Sequence, residues 1–192
     1  MPNALLVDVP DRFETDRLIL RTPRTGDGPV LHEALVESIV ELRQFLWFLP
    51  WVAEEQTRDS AEIRCRRCEA NFLSRTDLPF LAFERSTGRL VGGIGLHRTD
   101  WDLPKTEVGY WIRPSEAGKG YVTESVQTLV AWALSGLGAQ RVELVTEDTN
   151  VASRSVAERC GFVLEGVLHN VLRGPDGSLR NSCIYARLPT AK

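Results

Sequence analysis

Residues 107–134 read EVGYWIRPSEAGKGYVTESVQTLVAWAL, three elements in a row. Glu107 to Ile112 is a short run rich in β-formers, and it stops just before Pro114. Gly118 and Gly120 loosen the segment that follows. Val122, Val126, Leu129, Val130 and Ala133 then recur at helical spacing, and Gly136 and Gly138 end the helix. A strand, a glycine loop and a helix in that order make an anion site. Glycines let the backbone approach a phosphate, and the first amides of a helix lack intrahelical acceptors at the positive end of its dipole. Lys119 can add its charge or point to solvent. Two nucleotide loops are excluded: no GxxxxGK[ST] occurs, and Thr123 stands where GxGxxG needs its third glycine. Taken alone, these residues fit an ordinary tight turn as well as a phosphate cradle.

Upstream, Leu18 to Leu20 predict a first strand after a turn-prone leader at residues 1–13. A helix follows, capped by Asp27 or Gly28, with Pro29 in its first turn and an apolar face of Leu31, Leu35, Ile39, Leu42 and Leu46. FLWFLPWV at 45–52 is broken by Pro50 and reads as a pocket wall or as core. Ala61, Cys65, Cys68 and Phe72 mark a second amphipathic helix, and Phe80 to Glu84 and Leu90 to His97 form a hairpin around Ser86, Thr87 and Gly88. Downstream, Val142 to Thr146 is a strand and Ala152 to Cys160 a helix. Phe162 to Asn170 and Ser182 to Leu188 are closing strands around Gly-Pro-Asp-Gly. The expected fold is a single α/β domain over 1–192: a mixed, mostly antiparallel seven-stranded sheet with about four helices on its two faces.

Composition narrows the function classes. The chain has 192 residues, 43% hydrophobic and 26% charged, and no apolar run approaches the roughly 20 residues that span a bilayer. Met1 to Asp16 lacks the basic region and long apolar core of a signal peptide, so a cytoplasmic location is expected. A net charge of −3 argues against a general nucleic-acid surface. Cys65, Cys68, Cys160 and Cys183 are too sparse for a disulfide framework. The Cys65/Cys68 pair shares a helical apolar stripe and reads as core. With His32, His97 and His169 scattered, no metal site is expected.

Two motifs carry a resemblance. Ala117-Gly118-Lys119-Gly120-Tyr121-Val122 is similar to the pyrophosphate loop of the GNAT acyltransferase superfamily, Q/R-x-x-G-x-G/A, when Gly120 is set as the central glycine; Ala117 and Val122 depart from it. Downstream, Asn150 to Phe162 matches N-x-x-A/S-x-x-L/V-x-x-x-x-G-F throughout. With ETDRLILR at 14–21, LPWV at 49–52, LEG at 164–166 and the terminal IYARL, the chain resembles the RimJ/RimL-like ribosomal-protein N-terminal acetyltransferases over roughly residues 14 to 188.

The resemblance implies an N-acetyltransferase moving an acetyl group from acetyl-CoA to a primary amine. The acceptor would be a protein N-terminal α-amine or a small amine; a homodimer is possible, and a non-catalytic acyl-CoA-binding module is the remaining alternative. It places Gly118, Lys119, Gly120, Tyr121, Val122 and Thr123 at the pyrophosphate. A backbone amide near Trp111 or Ile112, on a strand splayed from its neighbour, would face the thioester oxygen. Asn150 would bond the pantetheine amide, and Ser153 would protonate the thiolate or else cap a helix. Many members use a tyrosine where Ala157 stands, so that acid is missing. Glu107 stands at the position of an acidic general base and reads equally as a structural ion pair, while His97 is the alternative base. Leu172 and Asn181 replace acidic residues seen in similar proteins, which points to altered acceptor recognition.

Overall fold

The computed structural model describes residues 4–189. One sheet of eight strands runs through them: β1 (Arg12–Glu14), β2 (Leu18–Arg21), β3 (Leu78–Glu84), β4 (Leu90–Asp100), β5 (Lys105–Ile112), β6 (Arg141–Glu147), β7 (Val163–Arg173) and β8 (Leu179–Arg187). Their spatial order is β1-β2-β3-β4-β5-β6-β8-β7, antiparallel except for β5 with β6. Five helices accompany them: α1 (Gly28–Phe45), α2 (Pro50–Ala53), α3 (Arg58–Ser74), α4 (Tyr121–Ser135) and α5 (Val151–Arg159).

The mixed architecture agrees with the sequence reading, with one strand and one helix more than expected. The extra strand is β1, too short for a periodic signal and formed because β2 offers a free edge. The expected leader is therefore partly sheet, and Val9 and Phe13 pack into the main core. The extra helix is α2, where Pro50 sits in the first turn, the place its fixed φ suits.

Two apolar layers hold the helices to the sheet. Val126, Leu129, Val130 and Ala133 of α4 and Val156 and Ala157 of α5 pack on one face with Leu20, Phe80, Ile94 and Leu144. Leu31, Ala34 and Leu35 of α1, Val52 of α2 and Ala61 and Cys65 of α3 pack on the other, against Leu81 and Leu90. The helix ends are fixed locally. Thr57 and Ser60 form a reciprocal capping box on α3, and Glu62 of α3 accepts the Gly28 amide at 3.0 Å at the start of α1.

Candidate functional site

β5 and β6 pair only at Lys105↔Arg141, Thr106↔Val142 and Glu107↔Glu143. Beyond Glu107 the two strands part, leaving a gap between the outer half of β5 and the end of β6. The backbone directions follow from two hydrogen bonds. Arg113 N–H donates to Val91 O on the β4 side at 2.8 Å, and Gln140 N–H donates to Pro104 O on the β6 side at 2.6 Å. Peptide groups alternate along a strand. Tyr110 and Ile112 therefore turn their amides into the gap, and Trp111 turns its own toward β4, opposite Gly93. Of the expected amides near Trp111 or Ile112, that of Ile112 faces the gap, and Tyr110 adds a second. The Trp111 indole lies over Gly93, where an added Cβ would come within 2.4 Å of its Nε1.

The glycine loop follows β5 through a 3-10 turn at Pro114–Glu116. Gly118 and Gly120 both have positive φ, +77° and +84°, and Gly120 is the N-cap of α4. Two left-handed glycines thus bracket Lys119. Val122 lies one residue inside the helix, and its side chain packs against the main core. The free amides of the first turn, at Tyr121, Val122 and Thr123, point back over the loop. Lys119 Nζ pairs with the buried Glu116 carboxylate at 2.7 Å while its side chain stays half exposed. The loop is clamped by a residue sequence reading missed. Arg17 donates to Lys119 O at 2.9 Å and to Glu124 at 2.7 Å, and its guanidinium covers the Tyr121 ring.

On the α4/α5 face of the gap, Tyr110 Oη meets Ser153 Oγ at 2.9 Å. Asn150 Oδ1 accepts the Ser153 amide at 3.1 Å as the N-cap of α5. Burial pushes the Tyr110 phenol up to about 12, against a weaker opposing effect of its Ser153 hydrogen bond. Ala157, at the position of the absent tyrosine, is fully buried core. A tyrosine nonetheless reaches Ser153, supplied by the strand. The alternation of EVGYWI places Tyr110 on the same face as Val108, but nothing local shows its partner 43 residues away.

The α1/α3 face carries the other candidates. Both oxygens of Glu107 are taken by Arg98, one of them at 2.9 Å from Arg98 Nε. His97, the register partner of Glu107, is bonded through Nδ1 to Asp77 Oδ1 at 2.7 Å. At the end of β6, buried Glu147 pairs with Arg180, which also lies over the Trp47 ring; Glu147 Oε1 has no partner among the described residues. FLWFLPWV is thus part wall, through Trp47, and part core, through Val52. Asn181 donates to Asp148 and accepts the amide of Asn170, whose φ is +57° in a bulge of β7. All four cysteines are free; burial raises the Cys65 thiol to about 12, and no group of His, Cys, Asp and Glu among the described residues could hold a metal.

A family model described as an acetyltransferase (GNAT) domain matches residues 17–163. The chain is 40% identical over 151 residues, 79% of its own length and 80% of the other's, to YdaF of Bacillus subtilis (strain 168), whose name provisionally assigns it to ribosomal N-acetylation. Two solved structures share the fold. The Microcin C7 self-immunity acetyltransferase MccE, in complex with acetyl-CoA and AMP, has a TM-score of 0.84 at 20% identity, covering 94% of this chain and 98% of that one. RimL, a ribosomal L7/L12 α-N-protein acetyltransferase in complex with coenzyme A, has a TM-score of 0.82 at 21% identity, covering 91% and 95%. No described helix is long and apolar enough to cross a membrane. By the family match and the 40% relative, the chain belongs to the GNAT acetyltransferases, the acetyl-CoA-dependent N-acetyltransferases.

Proposed function

We propose that this enzyme acetylates a protein N-terminal α-amine of the ribosomal-protein type, in the cytoplasm. The splayed β5/β6 gap between the left-handed glycine loop and the Tyr110–Ser153 pair carries the reading of the chemistry. The relatives' names support the acceptor class. Acetyl-CoA supplies an activated thioester carbonyl and an anionic pyrophosphate. The backbone from Gly118 to Thr123, with Lys119 contributing its peptide group rather than its ammonium, suits the pyrophosphate. The Tyr110 and Ile112 amides suit the carbonyl oxygen, where preorganised donors stabilise developing charge most. Ser153 Oγ is placed to give a proton to the departing sulfur. The Tyr110 phenol, protonated at neutral pH, backs that proton up. Asn150 holds Ser153 in place through its cap, and its amide nitrogen would bond the pantetheine arm. For Glu107, the doubly occupied carboxylate supports the structural reading over that of the base.

Ser153→Ala should lower turnover about 10- to 100-fold while changing acetyl-CoA affinity less than about threefold. Unchanged turnover removes Ser153 from the mechanism. The donor site is tested first by the thermal midpoint: acetyl-CoA at about 100 times its Kd adds roughly 2.7 kcal/mol, or about 5–10 °C for a domain of this size. Peptides with free serine or alanine N-termini and the polyamine spermidine then divide the acceptor classes. Acetylation of spermidine alone overturns the protein acceptor. The unpartnered oxygen of Glu147 suits any ammonium and so favours neither acceptor class.

A further inference from the structure

The acyl carbon needs two proton handlers on opposite sides, because the amine arrives on one side and the sulfur leaves on the other. The sheet supplies that separation. Ser153 and Tyr110 lie on the α4/α5 face. The opposite face of the same gap carries His97, and we propose that His97, held by Asp77, is the general base that accepts the proton of the acceptor amine. This assignment rests on the donor reading of the gap given above.

The ring is built into its place. Gly95 and Gly109 are register partners on β4 and β5. A Cβ added at Gly95 would lie 2.8 Å from His97 Nε2, and one at Gly109 would lie 3.2 Å from the same nitrogen. The imidazole therefore lies flat over a floor that only glycines allow, with Nε2 above Gly109, two residues past the last β5–β6 pair. Asp77 Oδ1 takes the other nitrogen at 2.7 Å, fixing the tautomer that leaves Nε2 with its lone pair free. The side chain is 36% exposed, so a solute reaches it. Directly after it the pairing with β5 slips, and Arg98 takes φ +50°. A bulge with a left-handed non-glycine residue re-aims side chains beside active sites and costs energy that a plain strand avoids.

The charged groups around the dyad are few. Glu107 and Arg98 neutralise each other beside it, and Arg64 and Cys68 of α3 act on Asp77. His32 is bonded to Gln56 O and His169 lies on exposed β7, so neither competes. In the step, Nε2 takes one proton from the ammonium and passes it to solvent. The freed lone pair forms the C–N bond, and Nε2 takes the second proton from that nitrogen as the C–S bond breaks and the neutral amide forms. The thiolate takes its proton from Ser153, whose hydroxyl is reprotonated from solvent. An α-ammonium near 8 gives up its proton more readily than an alkyl ammonium near 10.4, so the proposed acceptor class asks less of the base.

Diethyl pyrocarbonate, which acylates free imidazole nitrogen, tests the placement without turnover. With binding established by the thermal shift, saturating acetyl-CoA should slow modification of His97 at least fivefold and leave His32 and His169 unchanged. No protection of His97 overturns the proposal, while no thermal shift overturns the donor reading itself. For the role, His97→Gln should lower kcat on a serine-initiated peptide about 100-fold at pH 7, with a residual rate that climbs as pH frees the amine. Asp77→Asn should show a smaller loss, in kcat rather than KM, with a displaced pH limb. A His97→Gln enzyme within threefold of wild type and with the same pH profile overturns the base. If spermidine alone is acetylated, the protein acceptor falls and the same variants decide the dyad on spermidine.

Discussion

Gly120→Trp should raise the Kd for acetyl-CoA more than 100-fold, measured by calorimetry, with the far-ultraviolet circular dichroism of the fold retained. Gly120 holds φ +84°, which costs an L-residue roughly 1–2 kcal/mol, and its missing Cβ would already lie 3.4 Å from Arg17 Nη2. An indole there must displace the Arg17 clamp or fill the space over the α4 amides, and either change removes the backbone cradle. Each factor of ten needs only about 1.4 kcal/mol, so strain and obstruction together account for the loss. A Kd within threefold of wild type would remove the loop from donor binding.

Arg113→Ala should lower the thermal midpoint by about 5 °C. Arg113 follows β5, and its side chain is only 5% exposed. It donates to Glu37 at 2.7 Å, Glu33 at 2.8 Å and Leu90 O at 3.3 Å, tying α1 to the entrance of the glycine loop. Removing Arg113 takes away its charge-assisted hydrogen bonds, but Glu33 at 68% and Glu37 at 27% exposure are still reached by water, so the loss is smaller than for a fully buried pair. Arg113→Met combined with Glu33→Gln and Glu37→Gln should recover much of that, since the stranded charges go too. Glu37 also gives the effect a pH signature. The Ser115 hydroxyl, then Arg113, hold its carboxyl down from 4.5 to about 2 against the opposing effect of burial. Its folded value lies below its unfolded one, so its contribution is complete above about 4.5 and is lost as pH falls through about 2. Arg113→Ala should flatten that acid limb; an unaltered midpoint and limb would show that the cluster adds nothing.

Most elements were legible because their signals are local. The stripe from Val122 to Ala133 and the hairpin turn at Thr87-Gly88 need only neighbours within a few residues, and each predicted element lies where the structure has it; the cap of α5, expected at Ser153, is Asn150. β1 escaped because three residues carry no period and the strand exists only as an addition to β2. The bulge after His97 escaped because a register slip belongs to two strands at once.

For the site, sequence by itself determined the parts that are backbone: glycines that let the chain approach a phosphate and a helix start that offers amides. Those follow from single-residue stereochemistry. Tertiary structure alone decided the side-chain partnerships and the direction each strand peptide faces. Tyr110 reached Ser153, Asp77 reached His97, Arg17 closed on Lys119, and Arg98 took Glu107 out of contention because the chain brought together residues distant in sequence or reset their register. Ile112 and Tyr110, rather than Trp111, face the gap for the same reason: which amide faces it is set by the hydrogen bonds of β5 to its neighbours, and residue type carries no record of them.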